Sequence, residues 1–267
     1  MNQFTLSDNP ISETGRAALS FISILGRFGV FFFKSLLYIF HFPFQWKQLI
    51  EQMYFIGAKS IVVICLTGGF TGMVLGLQGY YTLSRFGSEG LLGSAVALTL
   101  IRELGPTLTA IMVIARAGSA MAAELGIMRI SEQIDALKTM SINPVRFLIS
   151  PRMLAALICF PLLTALFDVV GIFGGYLTGS KLLGINPGIY FFRVASSVEM
   201  SDVSEGFIKS IFFALVVVSV CCFHGYFTHL RKEGFGAKGV GLSTTTAVVQ
   251  ACVLVLIVDY IITSFLL

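Results

Sequence analysis

Apolar residues form five long runs along the chain, and shorter polar segments separate them. The runs cover residues 60–83, 91–115, 153–179, 206–228 and 247–267. Each run is at least as long as the roughly 20 residues that a helix needs to cross a hydrocarbon core about 30 Å thick. The pattern therefore predicts an all-α, polytopic membrane protein with five transmembrane helices.

The apolar stretch at residues 17–40 differs from these five runs. Arg27 and Lys34 interrupt it, and aromatic residues follow its end. A helix with one charged side and one apolar side is typical of helices that lie in the headgroup region. We expect residues 1–57 to be an N-terminal segment that contains an interfacial amphipathic helix, before a transmembrane domain at 58–267. The alternative is a sixth span.

Composition supports a membrane protein and gives no sign of catalytic chemistry. Hydrophobic residues make up 56% of the chain and charged residues 12%, against about 25% charged residues in a typical soluble domain. No basic run stands out, so we expect no nucleic-acid partner. The cysteines lie in apolar runs without metal-ligand spacing, and the histidines are isolated. We therefore predict no metal site and no catalytic residues.

The distribution of Lys and Arg predicts the orientation in the membrane. With the N-terminus in the cytoplasm, thirteen of these residues fall in inside segments, and only Arg85, Lys181 and Arg193 fall outside. Because an excess of Lys and Arg marks the cytoplasmic side, the N-terminus should be cytoplasmic and the C-terminus should lie on the other side.

Glycines recur every four residues in two of the predicted spans. They are Gly68, Gly72 and Gly76 in the first span, and Gly171, Gly175 and Gly179 in the third. Small residues at this spacing allow helix backbones to approach closely. The series indicates close packing within one chain, or alternatively close approach of two copies or of a lipid chain.

Charged residues inside the predicted spans form a second unusual set. They are Arg102, Glu103, Asp168, Lys209 and Asp259. A lone charge at the centre of a span costs roughly 2.5–3.5 kcal/mol on insertion scales, so these residues should form pairs or face water. We expect Lys209 to pair with Glu103, and Asp259 or Asp168 to pair with Arg102. The resulting network would either fix helix packing, or line or gate a substrate cavity.

A proline lies next to this charged pair in the second span. Pro106 has no N–H, so the carbonyl of Arg102 loses its partner in a regular helix. We expect the helix to be interrupted and kinked there.

The polar segment at residues 116–152 contains an amphipathic stretch. Its apolar residues recur at helical spacing, and charged residues occupy the other faces, which predicts a helix at about 127–140. Such a helix could lie on the bilayer or insert into a groove on a partner protein. Its mixed charge favours the protein partner. The residues concerned are Ile127, Ile130, Glu132, Ile134, Asp135 and Leu137.

Residues 57–60 resemble the end of a phosphate-binding loop but lack the glycine directly before Lys59 and the glycine five residues upstream of it. This chain is therefore not expected to hydrolyse nucleotides, and any such energy must come from another chain.

Several motifs together resemble the MlaE family of ABC-transporter permeases, the membrane subunits of bacterial lipid-transport systems. The resemblance extends from about residue 59 to the C-terminus. It is strongest in the blocks GMVLGLQG at 72–79, RELGP at 102–106, RAGSA at 116–120 and MRISEQ at 128–133.

This resemblance implies a homodimer in which each copy docks a cytoplasmic coupling helix, here about 127–140, into an ABC ATPase subunit. That subunit, rather than this chain, would bind ATP and Mg²⁺. A STAS-domain protein would bind the ATPase, and a hexamer of MCE-domain proteins would lie on the periplasmic side. The family's lipid cavity lies between the two copies and maps to Leu75, Leu83 and Phe86, near Glu103. Its polar cluster maps to Arg102, Glu103, Lys209 and Asp259.

The resemblance implies a permease in the bacterial inner membrane. It would move phospholipids between that membrane and a periplasmic MCE protein, and so maintain the lipid asymmetry of the outer membrane. The alternatives are a permease for another hydrophobic cargo, such as a sterol or an organic solvent, and a membrane scaffold that transports nothing.

Overall fold

The computed structural model describes residues 10–39, 45–230 and 236–266, and every regular element in these ranges is helical. The aromatic residues at 42–44 and the basic residues at 231–232, which were used above, lie outside the described residues. In chain order, the α-helices are α1 (Pro10–Ile39), α2 (Trp46–Ile56), α3 (Ile61–Ser84), α4 (Leu92–Thr99), α5 (Gly105–Val113), α6 (Ser119–Ile130), α7 (Gln133–Thr139), α8 (Ser150–Tyr176), α9 (Pro187–Ser197), α10 (Met200–Tyr226) and α11 (Ala237–Leu266).

Short turns of other helical types join several of these helices without a loop. Single 3₁₀ turns lie at Ala58–Ser60, Glu89–Leu91 and Thr228–Leu230, and π-helical turns lie at Leu100–Leu104, Ile114–Gly118, Val145–Ile149 and Leu177–Leu182. As a result α4, α5 and α6 form one continuous column, which we call the α4–α6 column.

Six helical stretches in the described ranges are long and apolar enough to cross a membrane. They are Ile22–Ile39, Trp46–Ser84, Glu89–Ile130, Val145–Leu182, Met200–Tyr226 and Ala237–Leu266. The prediction of an all-α, polytopic membrane protein is therefore confirmed. Each of the five predicted runs falls largely in one of the last five stretches. The first stretch lies in α1, whose placement in the headgroup region stays a prediction.

Helix α1 contacts the rest of the bundle through one stripe of residues. Phe31, Ser35 and Ile39 recur every four residues and are buried. Most of the other α1 residues whose burial is described are exposed. The Phe31 ring packs at 5.7 Å from Phe223 and at 5.8 Å from Tyr226, both on α10. This aromatic contact attaches α1 to the end of the bundle where α10 finishes.

The two glycine series meet within a single chain, at the crossing of α3 and α8. A Cβ atom on Gly72 would overlap the Gly171 carbonyl, and a Cβ on Gly174 would overlap the Gly69 carbonyl. The two backbones therefore touch at a distance that side chains would prevent. Packing within one chain thus accounts for the spacing of these glycines, and no contact between copies is needed to explain it.

The glycines near the far ends of the series support the same crossing. A Cβ on Gly76 would lie 3.0 Å from the Gly175 carbonyl. Gly175 also faces the hydroxyl of Tyr190, a buried residue of α9 that donates a hydrogen bond to the Ile172 carbonyl at 3.0 Å. Gly179 faces Leu92 instead of α3. Helix α9, which the sequence did not predict, thereby packs across this end of α3 and α8.

The predicted helix at 127–140 is wrong in one respect, because the structure breaks it into two. Helix α6 ends at Ile130 and α7 begins at Gln133. Between them Glu132 adopts φ 59°, in the left-handed region that interrupts a helix. The break turns Ile134 into the protein interior, where it is fully buried, while Ile127 stays 57% exposed.

We predict that replacing Gly72 with Ala will destabilise the protein and that replacing its neighbour Gly69 will not. The new methyl group at Gly72 would overlap backbone, and such overpacking typically costs about 1–3 kcal/mol. At Gly69 the nearest atom would be Val170 Cγ1 at 3.6 Å, an ordinary contact. Thermal unfolding in one detergent would compare G72A, G69A and the native protein. Equal midpoints for the two variants would contradict the proposed backbone contact.

Candidate functional site

The site is built around an irregular turn in the α4–α6 column. In the π-helical turn Leu100–Leu104, the N–H of Gly105 donates to the carbonyl of Leu100, five residues back. The next residue is Pro106, which has no N–H to offer. Pro106 therefore cannot supply the N–H that the Arg102 carbonyl accepts in a regular α-helix, and Gly105, the regular donor to Ile101, donates to Leu100 instead. The predicted interruption at Pro106 thus takes the form of a π-helical turn.

Lys209 on α10 reaches the carbonyl that Pro106 leaves free. Its Nζ atom lies 2.8 Å from the Arg102 carbonyl oxygen, 2.8 Å from Glu103 Oε1 and 3.5 Å from Asp259 Oδ1. The side chain is 2% exposed. The first two contacts are within hydrogen-bond distance, whereas the third is a longer ionic contact, and Asp259 Oδ1 accepts no hydrogen bond from the described residues. The predicted pairing of Lys209 with Glu103 is present, and we call Glu103, Lys209 and Asp259 the Lys209 cluster.

Two hydroxyl groups complete the surroundings of the carboxylates in the Lys209 cluster. Thr107 Oγ1 lies 3.2 Å from Asp259 Oδ2, and Thr263 Oγ1 lies 3.3 Å from Glu103 Oε1. Asp259 and Thr263 belong to α11, so the cluster joins that helix to α10 and to the α4–α6 column. Charged groups in a low-dielectric interior are tolerated only when they are paired and hydrogen-bonded in this way.

The predicted partners of Arg102 are wrong, because it pairs with Asp202. Its Nε atom lies 2.7 Å from Asp202 Oδ1. Asp202 is buried at the start of α10, where it also accepts a hydrogen bond from the Glu199 backbone N–H at 2.9 Å in a capping box. Asp202 was not among the expected partners, because the predicted span begins at residue 206 and leaves it in the preceding polar segment. The spacing of Glu199 and Asp202, three residues apart before an apolar run, was the available signal.

Asp168 lies apart from the Lys209 cluster and does not pair with Arg102. None of the ion pairs among the described residues includes it. Its Oδ1 atom is buried without a hydrogen-bond partner. The atom lies so close to Gly105 that a Cβ there would overlap it. The backbone of the π-helical turn thus separates Asp168 from the other charged groups.

A pocket of about 340 Å³ opens beside the Lys209 cluster. It combines charged groups of both signs with an apolar wall. Its lining residues are Leu98, Thr99, Arg102, Glu103, Glu205, Lys209, Thr263 and Leu266.

Of the predicted cavity residues, only Glu103 lines this pocket. Leu75 and Leu83 are partly buried in the core, and Phe86 is 78% exposed. Leu75 and Leu83 lie on α3 and Phe86 just after its end, and α3 contributes nothing to the pocket wall. Within one chain, the structure therefore does not bring them together with Glu103 in this pocket.

A polar network braces the corner between α6 and α7. Arg129 contacts Asp135 at 2.8 Å, and Lys138 contacts the same carboxylate at 2.9 Å. The hydrogen bond from Lys138 and the contact with Arg129 lower the pKa of Asp135, so this carboxylate stays charged near neutral pH. On its other side Arg129 Nε donates to His229 Nδ1 at 2.8 Å.

His229 accepts this hydrogen bond as a neutral imidazole. Partial burial, and secondarily the charge of Arg129, lower its pKa. Arg129 also lies over the Tyr226 ring at 5.7 Å. The network therefore connects α7 to the end of α10, and the apolar residues Ile130 and Met140 beside it are exposed. We call this region, residues 127–140, the α6–α7 corner.

A second arginine that the sequence placed in a cytoplasmic segment is engaged in the bundle. Arg116 donates to the carbonyl of Phe55 and to Ser60 Oγ at 3.0 Å, and it lies 5.0 Å from the Phe55 ring. It thereby fixes the end of α2 to the π-helical turn Ile114–Gly118. This role leaves no clear signal in the sequence beyond the arginine itself.

These features define a multi-pass helical membrane protein with a paired charge cluster beside an amphipathic pocket. The family model described as Permease MlaE matches residues 49–265. The chain therefore belongs to the MlaE permease family.

Similar proteins span almost the whole chain. One is the intermembrane phospholipid transport system permease protein MlaE of Haemophilus influenzae, 41% identical over 97% of both chains. A probable ABC transporter permease protein of Rickettsia felis is 39% identical over 96% of this chain and 97% of its own. The chloroplastic protein trigalactosyldiacylglycerol 1 of Arabidopsis thaliana is 36% identical over 83% of this chain and 62% of its own length.

We predict that replacing Lys209 with Met will strongly destabilise the protein. The variant would leave Glu103 and Asp259 without their cation and the Arg102 carbonyl without a donor, and breaking a buried ion pair costs about 3–5 kcal/mol. Thermal unfolding would measure the effect. The matched control is K181M, which makes the same change at an exposed lysine.

A second substitution tests whether this loss comes from the uncompensated charge. Adding D259N to K209M removes one of the unpaired carboxylates, so the double variant should be more stable than K209M alone. Strictly additive losses would contradict the coupling that we assign to the Lys209 cluster.

Proposed function

We propose that this chain is the permease subunit of an ABC transporter for phospholipids. It would move them between the bacterial inner membrane and a periplasmic MCE-domain protein, and so maintain the lipid asymmetry of the outer membrane. The observation that carries the proposal is the amphipathic pocket beside the Lys209 cluster. Its charges of both signs suit a phospholipid headgroup, and its apolar wall suits an acyl chain. The relatives in Haemophilus influenzae and Rickettsia felis are named as permease proteins, which supports a permease subunit here as well.

The size of the pocket argues for a second copy of the chain. A volume of about 340 Å³ is near the lower limit of the roughly 300–1,000 Å³ of sites for drug-sized ligands, so it cannot enclose a diacyl lipid. Helix α3 presents exposed apolar residues, among them Phe70, Val74 and Tyr81. In the proposed homodimer, the two copies of α3 would enclose the acyl chains, and Leu75, Leu83 and Phe86 would lie at that cavity.

The energy for transport would come from a separate ATPase subunit, because this chain has no nucleotide-binding loop. That subunit would bind ATP and Mg²⁺ and would in turn bind a STAS-domain protein. Its docking site would be the α6–α7 corner. Ile127, Ile130, Glu132 and Met140 are exposed there, whereas Ile134 is buried and holds the corner in place.

Motion at the corner would reach the pocket through the α4–α6 column. This column is helical from the corner to Glu103, so a displacement of its end is transmitted along it. Closure of the ATPases on ATP would then reshape the cavity and expel the lipid, provided that the two nucleotide states favour different cavity shapes. The N-terminus would be cytoplasmic and the C-terminus periplasmic, as the Lys and Arg distribution predicts.

We expect E103A to reduce phospholipid transport by about tenfold, the effect of losing one charged contact of roughly 1.4 kcal/mol. The permease would be reconstituted in liposomes with its ATPase and MCE partners. ATP-dependent transfer of a fluorescent phospholipid would then be measured. E51A, at an exposed glutamate of α2, is the matched control. Unchanged transfer in E103A would refute a role for the pocket.

The same assay separates the proposal from its alternatives. A complex that moves a sterol or an organic solvent but no phospholipid would be a permease for another hydrophobic cargo. Purification of the chain without any ATPase would favour a membrane scaffold.

We further expect E132K to weaken ATPase docking, because it reverses an exposed charge at the helix break. The measurement is the fraction of ATPase that co-purifies with the tagged permease. K181E is a charge reversal at the opposite end of the bundle, and it should co-purify with as much ATPase as the native permease does. Equal co-purification in all three proteins would exclude the corner as the docking site.

A further inference from the structure

A second pocket lies on the other side of the π-helical turn, away from the Lys209 cluster. It has a volume of about 170 Å³ and lies between the α4–α6 column, α8 and α10. Its lining residues are Ile101, Thr164, Ala165, Asp168, Val169, Ile172, Val203, Gly206 and Phe207. Val169 at its edge is 67% exposed, so the pocket reaches the lipid-facing surface.

Two polar side chains without hydrogen-bond partners line one side of this otherwise apolar pocket. Asp168 Oδ1 and Thr164 Oγ1 are both buried without a hydrogen-bond partner among the described residues. They are four residues apart and so lie on one face of α8. The carbonyl of Ile101, whose regular donor Gly105 bonds to Leu100 instead, points at Gly206, where a Cβ would lie 2.6 Å from its oxygen. Unpaired polar groups in a membrane are costly, so such a set requires an explanation.

The charges around the pocket define the kind of ligand that could satisfy these groups. No lysine or arginine lines this pocket. Arg102 and Lys209 are engaged in their own ion pairs, with Asp202 and with Glu103. A carboxyl group without a cation in hydrocarbon is neutral, and in that form it both donates and accepts a hydrogen bond. A neutral hydroxyl group complements this set, whereas an anionic headgroup would be left without a cation.

We propose that this pocket binds the hydroxyl group of an uncharged membrane amphiphile, such as a long-chain alcohol or a glyceride. The hydroxyl would bond to Asp168 and Thr164, and the chain would leave past Val169 into the lipid. The pocket is smaller than the roughly 300–1,000 Å³ of sites for drug-sized ligands, which fits one headgroup and excludes a whole diacyl lipid. This inference does not depend on the proposed transport function.

The test uses the full chain in lipid nanodiscs and a photoactivatable hexadecanol with its reactive group near the hydroxyl. After illumination, mass spectrometry would locate the labelled residues. Labelling should concentrate at residues 165–172 and 203–207. The methyl ether of the same probe, which cannot donate a hydrogen bond, should label there about tenfold less, the effect expected for one hydrogen bond.

Two variants remove the site in different ways. D168L removes the carboxyl group, and A165L fills the pocket while leaving Asp168 in place. Each should reduce labelling of the site about tenfold, whereas V253L, at an exposed position of α11, should leave it unchanged. If D168L fails to fold, the labelling of A165L alone tests the proposal. Equal labelling by the alcohol and the ether, or labelling that A165L does not change, would overturn the proposal.

Discussion

The interior of this protein depends on one lysine that satisfies a carbonyl left free by a proline. Pro106 interrupts the helix, and Lys209 donates to the freed Arg102 carbonyl at 2.8 Å while it contacts Glu103 and Asp259. The Lys209 side chain is 2% exposed, so water cannot replace the partners of its ammonium group. The interruption and the charges are therefore a single structural unit. This explains why the glutamate and the proline occur together in one short block of sequence, whereas the side chain of Arg102 pairs separately with Asp202.

A second constraint, the contact of two backbones, sets where the polar groups lie. Lipid tails are as apolar as the helices, so helices associate in a membrane through close packing. The crossing of α3 and α8 at Gly72 and Gly171 provides it. Because α8 is held there, Asp168 is pressed against Gly105 on one side of the π-helical turn, while Lys209 contacts the other side. The two pockets are thus separated by one turn of backbone, and each has its own set of polar groups.

Much of this arrangement could be predicted from the sequence, and the misses have physical causes. Length and apolarity predicted the spans, because a helix of that length crosses the hydrocarbon core and satisfies its own backbone hydrogen bonds there. The pairing of Lys209 with Glu103 followed from the cost of isolated charges. The partner of Arg102 could not be predicted in the same way, because Asp202 lies in a polar stretch that becomes the first turn of α10. The break at Glu132 was also missed, since apolar periodicity continues through a single left-handed residue.

The α6–α7 corner and the Lys209 cluster lie on the same pair of helices. Arg129 ends the α4–α6 column and contacts both His229 and Tyr226, at the end of α10. The column carries Glu103 and α10 carries Lys209, so the two helices that meet at the corner also meet in the cluster. The third member of the cluster, Asp259, belongs to α11 and makes the longest contact, 3.5 Å. If the corner is where an ATPase docks, these two helices connect it directly to the cluster, and we expect the longer contact between Lys209 and Asp259 to change more readily than the shorter pair with Glu103.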